Sequence, residues 1–209
     1  MTDPQQPGSL HIRLLTSRDV DTAADVLARS LLVEPGYVAI LPDEAMRLRM
    51  LSVFFRGTIA QSIRHQAAWG AFDGGVLLGV AEWVPPLGPG RETMDRLRMA
   101  PTYIRMLTIR FRPTLGLWAE DRAAVAYFPD EPFWYLLGLG VSPLAQGRGV
   151  GSALIQPGLE AAANAGLPAY LETGTERNVR FYTRFGFKVV EPAARLVQNG
   201  PTHWTMIRR

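Results

Sequence analysis

The segment Trp134-Tyr135-Leu136-Leu137-Gly138-Leu139-Gly140-Val141-Ser142-Pro143-Leu144-Ala145-Gln146-Gly147-Arg148-Gly149-Val150-Gly151 reads as strand, loop and helix start in succession. The apolar run Tyr135 to Val141 predicts a buried strand, Ser142-Pro143 ends it, and a helical pattern opens at Ser152. Glycines at 147, 149 and 151 lack Cβ, so the backbone there can take unusual φ and approach a ligand closely. The unpaired N–H groups of a new helix turn favour an anion, and Arg148 adds a positive charge. Spacing decides which phosphate loop this is. The dinucleotide fingerprint G-x-G-x-x-G is absent, and so is a Gly-Lys-Ser/Thr ending.

Val141, Pro143, Gln146, Gly147, Gly149 and Gly151 fill every defined position of the pattern Val-x-Pro-x-x-Gln/Arg-Gly-x-Gly-x-Gly/Ala. In this the segment resembles the acetyl-CoA loop of GNAT-type N-acetyltransferases. A second stretch, Tyr170-Leu171-Glu172-Thr173 followed by Asn178-Val179-Arg180-Phe181-Tyr182-Thr183-Arg184-Phe185-Gly186-Phe187, resembles the C-terminal half of the same superfamily. From about Pro132 to Arg209 the chain is most similar to puromycin N-acetyltransferase-like enzymes, and the N-terminal half shares only their layout.

The resemblance implies a GNAT-type acyltransferase fold: an α/β (mixed α+β) domain with a central, mostly antiparallel twisted sheet and helices on both faces. It implies acetyl-CoA as donor, held by Leu139, Gly140, Val141, Gln146, Gly147, Arg148, Gly149, Val150, Gly151, Ser152 and Asn178. By family position Tyr182 is the acid that protonates the departing thiolate. A tyrosine near its ordinary pKa of about 10 is protonated at neutral pH and can donate. Glu172, at a strand end facing the cofactor, is the first candidate for base or amine-orienting charge. Glu82 is the second, with Trp83 and Trp134 as substrate contacts. Gly138 and Gly140 weaken their strand as pure structure and suit a bulge or a close ligand approach.

Composition sets outer bounds. With 209 residues, 47% hydrophobic and 20% charged, the chain fits one globular domain with a single sizeable core. Residues 1–9 read as a disordered lead-in and 10–209 as the domain. Net charge is +3, and Lys188 is the single lysine beside arginines spread without a recognition motif, so neither nucleic acid nor membrane is expected as partner. Cysteine is absent, which excludes disulfides, thiolate metal sites and a cysteine nucleophile. His11, His65 and His203 are too scattered to suggest a metal centre. No apolar run has the length of a membrane span and no export signal opens the chain, so a cytoplasmic monomer or homodimer is expected.

In chain order, Leu10 to Leu15 predicts a strand and Ser17 to about Leu32 a helix begun by Thr16 and Asp19 and broken by Glu34-Pro35-Gly36. A helix follows from Asp43 to about Arg64. Gln66 to Phe72 and Val76 to Val84 flank Asp73-Gly74-Gly75 and predict the central antiparallel hairpin. Pro85 to Gly90 reads as a loop walling the site, and Arg91 to Ala126 as helical material interrupted at Pro101 and Pro113. The helix after the glycine loop runs to Asn164, with a kink expected between Ala153 and Pro157. Strands at Pro168 to Glu172, Phe187 to Val190 and His203 to Ile207 surround a short helix over Glu176 to Arg184, and Asn199-Gly200 marks a turn.

The reading that joins these observations is an acetyl-CoA-dependent N-acetyltransferase acting on a primary amine of a small molecule, a puromycin-like antibiotic being one candidate acceptor. The same residues leave open a protein amine or other metabolite as acceptor, a non-catalytic acyl-CoA-binding module, and a nucleotide-binding protein using the same glycines.

Overall fold

The computed structural model describes residues 10–197 and 200–209. The expected lead-in over 1–9 lies outside the described residues, as does Asn199 of the expected turn. The elements are β1 (His11–Leu14), α1 (Val20–Ser30), α2 (Pro35–Ile40), α3 (Glu44–Arg64), β2 (Ala68–Asp73), β3 (Val76–Val84), α4 (Pro89–Ile109), α5 (Phe111–Ala124), β4 (Trp134–Val141), α6 (Val150–Asn164), β5 (Ala169–Thr173), α7 (Glu176–Thr183), β6 (Lys188–Ala194) and β7 (His203–Arg208).

Seven strands form one sheet in the order β1-β2-β3-β4-β5-β7-β6. Every pairing is antiparallel except β4 with β5. The mostly antiparallel mixed sheet expected from the sequence is therefore present. The β2–β3 hairpin turns on Gly74 and Gly75, both at positive φ, as a two-residue primed turn requires. The hairpin lies in the N-terminal half of the sheet, and the central strand is β4.

Each face of the sheet is closed by helices. Leu27 of α1 and Leu51, Phe55 and Ile59 of α3 pack on Val80 and Phe72 from one side. Leu154, Ile155 and Leu159 of α6 pack on Ala81, Trp83, Leu136 and Leu171 from the other. Alternation along the strands sends successive side chains to opposite layers. Pro157 does not divide α6, and the following Gly158 is there because a Cβ would sit 2.2 Å from the Trp83 indole.

Several expected boundaries move for local reasons. Pro35 opens α2 at its first position instead of ending structure, since the missing N–H is unused there. Pro89 does the same for α4, so the expected loop is only residues 85–88. Pro101 lies inside α4: it is exposed, and the carbonyl it frees belongs to Leu97, a residue 63% exposed, so the helix carries the proline on its solvent side. The break comes instead at Arg110, which is extended, and Pro113 falls in the first turn of α5. Among the described residues no helix is long and apolar enough to cross a membrane.

Candidate active site

Strands β4 and β5 are paired only at Trp134–Ala169 and Tyr135–Tyr170. Beyond Tyr135 they part, so the β5-facing edge of β4 has no strand partner and its alternate N–H and C=O groups face a gap. The partner β3 is shifted in register between Glu82 and Trp83, opposite Gly138 and Leu136, which leaves Leu137 as the extra residue of a bulge. Two cavities open from this gap. A cleft of about 740 Å³ runs along the glycine loop and α7. A smaller pocket of about 130 Å³ lies between the C-terminal half of α5, the start of α2 and β5. Leu31, Glu34, Leu139, Asn178 and Tyr182 line both, so the two meet there.

The cleft is built by local chemistry. Gly147 and Gly149 have φ of 78° and 79°, and a Cβ at either would meet nothing within 4 Å, so the backbone conformation is what requires glycine. Gly149 is the N-cap residue of α6, and the N–H groups of Val150, Gly151 and Ser152 form its first turn, where no helical carbonyl is available. Gln146 Nε2 donates to Val141 O at 3.1 Å and closes the loop onto β4. Leu139, Gly140, Val141, Gln146, Gly147, Gly149, Val150, Gly151, Ser152 and Asn178, ten of the eleven residues expected to hold the cofactor, line the cleft. Gly140 has a different cause: a Cβ would lie 1.9 Å from Ser30 Oγ, so helix packing demands it.

Arg148 is the exception. Its guanidinium turns to the hairpin and donates to Asp73 Oδ2 at 3.2 Å, and it does not line the cleft. The cleft's positive charge comes from Arg177, Arg180 and Arg184. These carry no motif of their own, although a spacing of three residues places Arg177 and Arg180 on one face of α7, and Arg184, its C-cap, follows four residues on. Thr175 caps that helix, its Oγ1 accepting from Asn178 N at 3.3 Å.

The pocket is acidic. Glu34, Glu120 and Glu172 line it, with Asp121 at its exposed mouth, and none of its lining residues is lysine or arginine. Burial pushes Glu120 up to about 8, helped by the neighbouring Glu34, Glu172 and Asp121. Burial raises Glu172 to about 7, while Tyr135 and Tyr170 beside it pull in the other direction. Its Oε1 is buried without a hydrogen-bond partner. Glu34 is raised by burial, and the backbone N–H of Gly174 offsets part of this. His203 is 3% exposed, its Nδ1 has no partner, and burial lowers its pKa, so the ring is neutral at pH 7. Tyr182, 8% exposed, has a pKa raised by burial and then by Glu34, which keeps its hydroxyl protonated.

The segment carrying Glu34 and Tyr37 is held by Arg47. This buried guanidinium donates to Leu32 O at 2.6 Å, to Pro42 O at 3.1 Å and to Leu41 O. Glycines make room for the polar groups. A Cβ on Gly36 would lie 2.8 Å from Glu120 Oε1 and 3.0 Å from His203 Nε2, and one on Gly174 would lie 2.3 Å from Glu34 Oε1.

Of the catalytic and substrate residues expected from the sequence, Glu172 and Tyr182 line the pocket, and Glu82, Trp83 and Trp134 do not. Glu82, 0% exposed, turns to α3, where Thr58 Oγ1 and Ser62 Oγ donate to its carboxyl at 3.1 Å each. Trp83 points to the opposite layer and is enclosed by the core under α6. Trp134 packs against that same core. The loop at 85–88 lines neither cavity; α5 is the wall instead. Glu34, Glu120 and His203 had no sequence signal, since each is an ordinary residue until packing brings it beside Glu172.

A family model described as "Acetyltransferase (GNAT) family" matches residues 35–187. Over 122 residues the chain is 30% identical to an uncharacterized N-acetyltransferase of Schizosaccharomyces pombe; the match takes in 54% of this chain and 48% of that protein, so the chain spans about half the relative's length. The fold is similar to the crystal structure of "histone acetyltransferase HPA2 and related acetyltransferase" from Corynebacterium glutamicum, with TM-score 0.70, 24% identity and 96% of each chain covered. It is also similar to PaiA N-acetyltransferase from Thermoplasma acidophilum, solved in complex with coenzyme A, with TM-score 0.59, 16% identity, and 96% of this chain and 99% of that one covered. At these identities the structural likeness is one of fold.

Proposed function

The chain belongs to the acetyltransferase (GNAT) family, and from that premise we propose that it transfers an acetyl group from acetyl-CoA to a primary amine of a small molecule. The observation that carries this reading is the meeting, at Leu139, Asn178 and Tyr182, of a cleft edged by arginines and a pocket lined by carboxylates. An anionic donor and a cationic acceptor are thereby sorted to opposite sides of one gap.

Acetyl-CoA, when bound, supplies the activated thioester. The turn at Gly147 to Ser152 takes its pyrophosphate on backbone N–H groups, and Arg177, Arg180 and Arg184 add charge for its phosphates. The unpaired edge of β4 around Leu139 aims N–H groups at the carbonyl oxygen, where negative charge develops during attack. Glu172, with a pKa of about 7, is poised to take the proton from the acceptor ammonium directly or through water. Tyr182, kept protonated and lining both cavities, gives a proton to the departing sulfur.

The test is free-thiol release from acetyl-CoA with a panel of amines, read in parallel by mass spectrometry of the amine products. The panel includes puromycin, because the C-terminal segments resemble the enzymes that act on it. The expected result is thiol and acetylated amine in equal amounts, with kcat/KM rising as pH passes about 7 and Glu172 ionises. Tight CoA binding with no turnover on any amine would reduce the protein to a binding module.

A further inference from the structure

The acceptor pocket holds more negative charge than one ammonium group needs. Three glutamates line a volume of about 130 Å³, with Asp121 at the mouth. That is the scale of cavities that hold one benzene-sized molecule. Burying carboxylates without partners is costly, and an ion pair with a fixed arginine is the usual relief. Arg96 and Arg122 act on Asp121. Glu34 receives one backbone N–H, Glu172 Oε1 receives nothing, and the buried His203 ring lines the same pocket.

Position within the pocket divides the carboxylates. Glu34 lines both pocket and cleft, while Glu120 and Asp121 line the pocket alone, on the wall that α5 contributes. Glu172 lies on β5, beside the gap where the strands part. The carboxylates therefore stand on two walls of the pocket, Glu172 on β5 and Glu120 with Asp121 on α5. Carboxylates on two walls match a cation with charges at two points. Apolar side chains of Leu117, Phe54 and Leu136 between those walls match a methylene chain joining the charges.

Resting on the acetyl-transfer reading, we propose that the acceptor is an unbranched aliphatic di- or polyamine. One amine reaches the gap beside Glu172, loses its proton and is acetylated, while a second stays charged and is held by Glu120 and Asp121 at the α5 wall. Glu120 faces Glu34, Glu172 and Asp121 together with Tyr37 and His203, and no cation lines the pocket to compete for it. A bound ammonium favours the ionised carboxylate, so binding at pH 7 expels protons from Glu120 and Glu172.

The experiment compares diamines of four and five carbons with butylamine and pentylamine, in thiol-release assays on the wild-type protein. Losing a charge-assisted hydrogen bond of the second ammonium costs the monoamines about ten- to hundredfold in kcat/KM. The double variant Glu120→Gln, Asp121→Asn brings that ratio towards one. Calorimetry of the four-carbon diamine with CoA-loaded protein at pH 7, in two buffers of different ionisation enthalpy, reads proton release, which shrinks in Glu120→Gln. Equal kcat/KM for diamine and monoamine, or a ratio unchanged in the double variant, would overturn the proposal while leaving acetyl transfer intact. Absence of thiol release with every amine would sink acetyl transfer, and the diamine with it.

Discussion

Glu34 Oε1 accepts a hydrogen bond from the backbone N–H of Gly174 at 2.9 Å, across 140 residues of chain. The contact ties the start of α2 to the loop between β5 and α7, and so fixes where pocket and cleft meet. A Cβ on residue 174 would fall 2.3 Å from that oxygen and 3.3 Å from the His203 ring, so Gly174→Ala must push Glu34 aside. The expected outcome is a raised KM for the amine with CoA affinity within about threefold of wild type, since the change is felt at the pocket and not at the glycine loop. An unaltered KM in a folded variant would show that Glu34 has no part in holding the acceptor.

Tyr182→Phe removes one hydroxyl and keeps the packing on Phe181 and Phe187, whose ring centroids lie 5.2 and 5.9 Å away. Loss of a positioned general acid is expected to lower kcat by about 10²-fold to 10⁴-fold, with KM nearly constant. Steady-state acetylation, with circular dichroism as the folding control, measures this. Wild-type turnover in the Phe variant would leave solvent as the source of the proton.

Two glycines of the loop should respond differently. Gly149 sits at φ 79°, where a branched side chain is strained whatever the space, so Gly149→Val is expected to lose CoA binding in calorimetry. At Gly151 a Cβ makes ordinary contacts of 3.6 Å with Phe181 and Val141, and Gly151→Ala should bind CoA within about threefold of wild type. Equal behaviour of the two variants would contradict the conformational account.

The arginines allow a similar contrast. Arg184→Ala removes a charge lining the cleft and is expected to weaken CoA binding about two- to fivefold at low salt, less at high salt. Arg148→Ala breaks only the contact with Asp73 and should leave CoA affinity and its salt dependence as they were. A larger effect at Arg148 than at Arg184 would restore it to the cofactor site.

Glu82 predicts a pH dependence of stability. Burial raises its folded pKa to about 8, with Thr58 and Ser62 pulling partly back, while an unfolded carboxyl stays near 4.5. Between those values the folded state holds a proton that the unfolded state has released, so wild-type stability falls as pH rises through this window, by at most about 1.4 kcal/mol per unit. Glu82→Gln keeps the shape without the titration. Its melting temperature relative to wild type should therefore climb from pH 5 to about 8 and level off above. A constant difference across that range would mean the carboxyl is not buried in the protonated form.

How much was readable in advance can be argued from particular residues. Thr175, Gly149 and the Gly74-Gly75 turn act within a few residues of themselves, through capping, positive φ and hairpin geometry, and their elements stand where the pattern put them. The glycine loop and the cleft residues were legible for the same reason: a strand, a turn and a helix N-terminus are local objects. Pro101 shows the limit, since whether a proline breaks a helix depends on whether water reaches the freed carbonyl, which is decided by the fold.

By itself, then, the sequence determined the order of the seven strands and of the helices other than α2, and the glycines of the loop before α6, because these follow from short-range sterics and periodicity. Only the tertiary structure separated Glu172 from Glu82. Both stand near the ends of apolar strands, but one lines the gap and the other is capped by two hydroxyls of α3. It also gathered Glu34, Glu120 and His203 from α2, α5 and β7 around one small volume, and turned Arg148 outward while bringing Arg177, Arg180 and Arg184 to the cleft. The physical reason is that a pocket's charge belongs to side chains distant in sequence. Their convergence is set by how helices pack on a splayed sheet, and no window of local sequence contains that information.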